Sequence, residues 1–542
     1  MIGDDTIQPR FRGIHTENAK RQETSEKKPE EKKNEVPKKK YSTTTKVTMA
    51  LVVLAGVGFV YRFMGASDKR KEIFEQDKTT IGIPEIIKNT ELKRTRSRDK
   101  LDKIMDRREK MRAAWMTEPL EEKEVDAILQ ENQNAASCFS HGDGEDNWLK
   151  IQFYSNQISS NESIEDYLAW SSLKASPGKQ NKARHFFGVF DGHAGYMCAE
   201  RISQELTKVV DESLEMIEDK KKSSTKSQEK LNKLIGDLVR ATPDKSNITT
   251  NALALVGSFV RMDQMIVEDA LEEYLLSENQ QADVDRLLGP AVSGSCGLGC
   301  IVDGGAETVT VANTGDSRAI IGTRGENGKW KAVILSVDQT AGNLKELERM
   351  KKEHAGEEDT VIQRGRVLGG LMPTRAFGDS RYKWPLDIQE KLFPMLYNRG
   401  HRYATTPRNY LTPPYVTAQP VLVEHRLNKG SDKFVVLATD GLWDRMSNED
   451  VVETVGEWWD AHYSTNQAGK EPAINLETGE KLERALPKVD ENPATHLIRT
   501  ALSTDDNGHV QKQLINKLLA IPPPYSRRFR DDISAYVVLL DH

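Results

Sequence analysis

Cysteine is scarce in this chain: Cys138, Cys198, Cys296 and Cys300 are the only four in 542 residues. So few cannot staple a domain of this length, which excludes a disulfide scaffold and fits a reducing compartment. An excess of charge of one sign is missing too. The 77 Lys and Arg face 83 Asp and Glu, a net of −6, whereas a dedicated nucleic-acid binder carries a basic excess. Long apolar runs are nearly absent, and one short stretch near the N-terminus is too little for a polytopic membrane protein. Neither G-x-x-x-x-G-K-[ST] nor a kinase catalytic loop occurs, so phosphoryl transfer from ATP lacks its usual parts. No repeat with a period of about 20–50 residues is present. Hydrophobic residues at 37% against 30% charged leave room for solvated tails or insertions around a catalytic or binding domain.

What is present divides the chain. Residues 1–46 are polar, with KKPEEKKNEVPKKK as their low-complexity core, a composition that cannot bury enough apolar surface to order itself. Residues 47–65, VTMALVVLAGVGFVYRFMG, follow, flanked by Lys46 on one side and Lys69, Arg70 and Lys71 on the other. Their length is the minimum for a span, and they start too far in for a simple secretory signal. They read as a transmembrane or sorting segment. Residues 66–117 read as a charged helical linker. Residues 118–542 read as one domain, with polar surface insertions near 217–250 and 464–493.

Inside that domain, apolar runs at 186–190, 295–302, 308–313, 317–322, 433–439 and 534–540 read as strands. Helical spacing fits 194–215, 252–279, 341–354, 448–460 and 494–503, and EKEVDAILQENQ reads as a capped helix leading in. The runs at 308–313 and 317–322 are joined by T-G-D, which predicts a hairpin with Asp316 in its turn. Strands and helices in separate blocks predict an α+β layered domain with antiparallel pairing.

The most informative pattern is a set of acids at the ends of these apolar runs. FFGVFDGHAG places Asp191 after a strand, with Gly192 and His193 beside it. KFVVLATDGLWD does the same for Asp440 and Asp444, VANTGDSRAIIG presents Asp316, and RRFRDDISAYVVLL opens a strand on Asp531 and Asp532. Upstream, NESIEDYLA offers Glu165 and Asp166. One Asp-Gly is a common turn dipeptide. Several carboxylates behind buried runs repel one another, and a bound cation is the natural compensation. All-oxygen ligands favour Mg²⁺ or Mn²⁺, and two such ions can activate water and hold a phosphoryl group.

The ordered segments FGVFDGHAG, SGSCGLGCIV, VANTGDSRAIIG, GGLMPTRAFGD, VLATDGLWDRMSNEDVV and RDDISAYVV resemble the metal-dependent Ser/Thr protein phosphatases of the PP2C type. FYSNQISSNESIEDYLA, NLKELERMKKEH and VLGGLMPTRAFGDSRYKWPLDIQE resemble in particular the pyruvate dehydrogenase phosphatase catalytic subunits and their fungal mitochondrial relatives. The resemblance implies an α-β-β-α sandwich of two antiparallel sheets flanked by helices, with a further insertion near 383–412. It implies that Asp191, Asp440 and Asp531 bind one metal. Asp191 would bridge to a second ion that also uses the Gly192 carbonyl and Glu165, the latter through water. It implies His193 as the general acid that protonates the leaving serine, and Asp316 and Asp444 at a weaker third ion. The sequence departs from the family at Asn161, where many members hold substrate phosphate with an arginine. Asp532 stands where many members have Asn, and Asp531 is taken as the ligand.

The implied activity is hydrolysis of phosphoserine and phosphothreonine on proteins, with the E1 component of the pyruvate dehydrogenase complex as substrate. Another mitochondrial phosphoprotein, or an inactive scaffold, are the alternatives, and the complete acid set argues against the scaffold. No nucleic-acid partner is expected. The location implied is mitochondrial. Residues 47–65 suggest single-pass or peripheral association with the inner membrane, on the matrix or the intermembrane-space side. Residues 1–46 carry Asp4, Asp5, Glu17 and Glu23, a poor match to an acid-poor transit peptide. Cys296 and Cys300 read as small buried strand residues rather than a metal pair. Trp458 and Trp459 read as core or partner contacts.

Overall fold

The structure is a computed structural model. It describes residues 106, 109–141, 148–160, 162–173, 184–219, 225–241, 249–463, 490–505 and 508–541. Residues 1–46 and 47–65, and most of 66–117, lie outside the described residues, as do 464–489. Among the described residues no helix is long and apolar enough to cross a membrane.

Two antiparallel sheets carry the domain. Sheet I has six strands in the order Asn134–His141, Trp148–Ile158, Ile533–Asp541, Asp432–Ala438, Arg318–Arg324 and Trp330–Ile334. Sheet II has five, in the order Val421–Arg426, Thr308–Thr314, Gly297–Asp303, Arg184–Phe190 and Tyr167–Leu173. The central strands are apolar throughout because both of their faces are buried. In Arg184–Phe190, Phe187 and Val189 point between the sheets while Phe186 and Phe190 point into the helices behind. In Asp432–Ala438, Val435 and Leu437 face the inter-sheet core and Phe434 and Val436 face outward. This alternation is the period of a strand.

Helices cover both outer faces. Met197–Asp219, Thr250–Gln264 and Gln280–Val292 pack on sheet II, contributing Leu206, Phe259 and Leu288 to its outer core. Glu122–Glu131, Asn448–Tyr463, Pro493–Ser503 and Lys512–Ala520 pack on sheet I through Leu129, Trp458, Leu497 and Leu518. Three apolar layers therefore separate four layers of structure, which is the expected α-β-β-α sandwich.

One expectation is corrected. The strands Thr308–Thr314 and Arg318–Arg324 do not pair as a hairpin: the first belongs to sheet II and the second to sheet I. Gly315, at φ +111, lets the chain turn from one sheet to the other, so Asp316 sits in a crossover between layers. The local sequence T-G-D is that of a tight turn, and the partner of each strand is fixed by long-range packing instead.

The insertions expected near 217–250 and 383–412 each contain a helix that reaches the core. Residues 217–250 include the helix Lys226–Ala241, whose Leu231 and Ile235 join the outer core of sheet II. Residues 383–412 include Leu386–Asn398, which buries Leu392, Phe393 and Leu396 in that same core. The long helix expected over 252–279 is interrupted by a π turn at Met265–Asp269.

Candidate active site

The acids at the strand ends converge. Asp191 follows a strand of sheet II, and Asp440 opens a short helix directly after a strand of sheet I. With Asp316 from the crossover and Asp531 from the loop just before the last strand, they line one cavity of about 680 Å³. Carboxylate oxygens of Asp191, Asp316 and Asp440 all lie within 4.8 Å of one another.

Burial and mutual repulsion charge this site. Burial pushes the Asp191 carboxyl well above its ordinary value, and the neighbouring charges of Asp440, Asp166 and Asp316 push it further. Asp440 is raised for the same reasons, burial first and then Asp316 and Asp531. Burial also raises Asp316, Asp444 and Glu165. Three close carboxylates with no cationic side chain between them form a hard, all-oxygen donor set that fits a divalent cation. The fit is chemical as well as geometric.

The structure separates the two adjacent acids of R-D-D. Asp532 is buried and accepts hydrogen bonds from the Ser160 hydroxyl and the Glu165 amide, each at 2.8 Å, so it fastens the loop before Glu165. Asp531 faces the cavity but forms an ion pair with Arg527. Its carboxylate is not part of the close trio.

Glu165 accepts from the Gly195 amide at 2.8 Å. Gly192 has no room for a side chain, because a Cβ there would lie 2.1 Å from the Glu165 carbonyl oxygen. Gly192–His193 pairs with Gly294–Ser295, and that short strand pairs with Phe377–Gly378. This three-stranded element brings His193 to Asp379, with Nε2 2.7 Å from Oδ2. Burial alone would lower the imidazole pKa, but the charge and hydrogen bond of Asp379 overcome it and the net shift is upward. Asp379 went unassigned in the sequence reading, although it ends the quoted segment GGLMPTRAFGD. Its signal was another Gly-Asp turn, and the residue has a left-handed φ of 51.

The remaining candidates divide as follows. Asp444 is exposed on the cavity wall, beside Asp338 and Arg318. Asn161 lies outside the described residues. Asp166 is buried, with Oδ2 lacking a hydrogen-bond partner, and adds negative potential to Asp191. Cys296 and Cys300 are buried and free, as expected. The Cys296 thiol lines the cavity and donates to Asp316 Oδ1 at 3.1 Å. Trp458 is buried in the outer core of sheet I, and Trp459 packs partly buried against it.

Similarity to known proteins places this arrangement. The family model for protein phosphatase 2C matches residues 240–473. A human protein named pyruvate dehydrogenase [acetyl-transferring]-phosphatase 1, mitochondrial, is 34% identical over 77% of this chain and 82% of its own length. The chain belongs to the PP2C family of protein phosphatases. A protein phosphatase 2C homolog of Schizosaccharomyces pombe is 35% identical over 71% of this chain and 79% of its own. The Saccharomyces cerevisiae pyruvate dehydrogenase [acetyl-transferring]-phosphatase 1 is 32% identical over 70% and 67%. As a PP2C phosphatase, the chain is a metal-dependent hydrolase acting on phosphoserine and phosphothreonine in proteins.

Proposed function

We propose that this phosphatase removes phosphate from the E1 component of the pyruvate dehydrogenase complex in mitochondria. The single observation that carries the substrate is its identity to the human and budding-yeast proteins named for that activity, at 34% and 32%. Mitochondrial location follows from the same names. Residues 47–65 are the segment proposed to associate with the inner membrane.

In this reading two Mg²⁺ or Mn²⁺ ions are held by Asp191, Asp440, Asp531, Glu165 and the Gly192 carbonyl, and a weaker third by Asp316 and Asp444. The close trio of Asp191, Asp316 and Asp440 supports a shared centre. When bound, the ions supply a nucleophilic water at neutral pH and neutralise phosphoryl charge. The chain's own residues do the rest. A water oxygen bonds to phosphorus, the bond to the serine oxygen breaks, and that oxygen takes a proton from His193. With Nε2 committed to Asp379, the transferable proton of the imidazolium is the one on Nδ1. Asp379 thereby orients the ring.

The test is to incubate the purified protein with phosphorylated pyruvate dehydrogenase and Mg²⁺ or Mn²⁺, with a generic phosphopeptide as control. Faster release from the dehydrogenase supports the substrate. Equal rates on both would point to another mitochondrial phosphoprotein. For topology, protease treatment of mitochondria and mitoplasts reads the side: digestion only after outer-membrane rupture marks the intermembrane space, and release by carbonate overturns anchoring.

A further inference from the structure

Four arginines line the active-site cavity, and their partners divide them in two. Arg318 is clasped by both carboxylate oxygens of Asp338, at 2.9 and 2.7 Å, and donates to Asn448 at 2.8 Å. Arg527 is paired with Asp531. Arg366 and Arg381 form no ion pair among the described residues. Arg366 is exposed and donates to the Gly370 carbonyl at 3.2 Å. Arg381 is half-buried, and its Nε is shut away from solvent with no acceptor.

The position of Arg381 is fixed rather than adaptable. It is the middle residue of the 3₁₀ turn Ser380–Tyr382, which starts from Asp379. Tyr382 closes that turn by donating its amide to the Asp379 carbonyl at 2.8 Å. Gln389 anchors the Arg381 carbonyl at 3.2 Å. The guanidinium lies over the Tyr382 ring, 5.2 Å from its centroid, and this stacking holds it in place without a carboxylate. The cavity floor is rich in acids, yet this cation is left unneutralised two residues from the group that orients His193. Holding a guanidinium half-buried without a counter-ion is costly unless an anion arrives to take its donors.

We propose that Arg381 holds the phosphoryl oxygens of the substrate. The assignment rests on the phosphatase reading above. A planar fork of donors matches a phosphoryl group in a way a lysine ammonium does not. Arg381 and His193 line the same cavity, so one side chain would fix the phosphate while the other protonates the departing oxygen.

The test uses the full chain with Mg²⁺ and three variants, Arg381→Gln, Arg381→Lys and Arg381→Ala. Two phosphoserine peptides serve as substrates, one with acidic neighbours and one without, and inorganic phosphate serves as a competing product. For Arg381→Gln, KM on both peptides and Ki for inorganic phosphate should rise together, by about tenfold, the scale of one charge-assisted contact. Lys should recover part of this loss and Ala none. Unchanged KM and Ki in a variant that still turns over would overturn the assignment. A rise confined to the acidic peptide would also overturn it, moving Arg381 to a flanking carboxylate of the substrate. A wild-type chain that releases no phosphate with Mg²⁺ would instead sink the phosphatase reading itself.

Discussion

Nε2 of His193 meets Oδ2 of Asp379 at 2.7 Å across 186 positions of sequence, and Gly294 is the residue that leaves them room. A Cβ on Gly294 would stand 2.2 Å from Nε2 and 2.5 Å from Oδ2, so any larger residue has to break the pair apart. The glycine is therefore part of how the imidazole is aimed, though it carries no chemistry.

His193→Ala should slow hydrolysis of phosphoserine peptides by roughly 10²–10⁴, the usual worth of a positioned acid. An activated aryl phosphate, whose leaving group needs no proton, should lose much less. Gly294→Ala should show the same selective loss in milder form. Comparable losses on both substrates would make His193 structural.

Asp191→Asn and Asp440→Asn should abolish turnover, and EDTA should do the same to the wild type. Stability should move the other way. Because burial and like charges raise both acids, neutralising one should lift the melting temperature of the metal-free protein by roughly 2–4 °C. The upward shift that Mg²⁺ gives the wild type should vanish in the variants. Scanning calorimetry with and without metal measures both effects.

Asn161→Arg should lower KM for a small phosphopeptide. A charged hydrogen bond is worth about 1.5–3 kcal/mol, and less where water competes for it. Steady-state kinetics on one short peptide suffice, and an unchanged or higher KM would show that phosphate capture does not need a cation at this position.

Glu346 offers a pH test away from the cavity. It is buried, which alone would raise its carboxyl, yet hydrogen bonds from Arg375 and Arg349 bring it down to about 2. Arg375 meets it at 2.7 Å and the Thr374 hydroxyl at 2.8 Å, so it braces the segment that leads to Asp379. A carboxyl whose folded pKa is depressed stabilises fully above its unfolded value of 4.5 and loses that contribution as pH falls toward about 2. Glu346→Gln should thus cost up to about 3 kcal/mol at pH 7, and the gap to wild type should close on acidification. Urea unfolding at a series of pH values reads the gap directly.

The strands bearing Asp191, Asp440 and Asp531 were legible in the sequence because both of their faces are buried. That makes each an unbroken apolar run, and the acid at its end stands out against it. The outer strands were not. Asn134–His141 and Tyr167–Leu173 mix Ser, Ala and aromatic residues, and such half-exposed strands carry a weak period. Asp379 was missed because its partner is His193, and a contact across that separation leaves no local pattern. Asp316 was singled out as a strand-end acid but placed in the wrong turn, since a T-G-D step reads alike whether its strands pair or part. Arg527 beside Asp531 follows an i,i+4 spacing that surface helices also show, so the spacing alone did not mark it.

The crossover at Asp316 makes the separation of the two sheets and the separation of the carboxylates one and the same coordinate. Asp191 hangs from sheet II, Asp440 and Asp531 from sheet I, and Asp316 from the link between them. A divalent ion held between Asp191, Asp316 and Asp440 would tie the two sheets together, and a sheet that slid away would disperse these carboxylates. Docking of the two sheets, which the apolar core between them already holds, and capture of a cation would therefore favour each other. Divalent ion concentration would then add to the stability of this chain as well as to its rate.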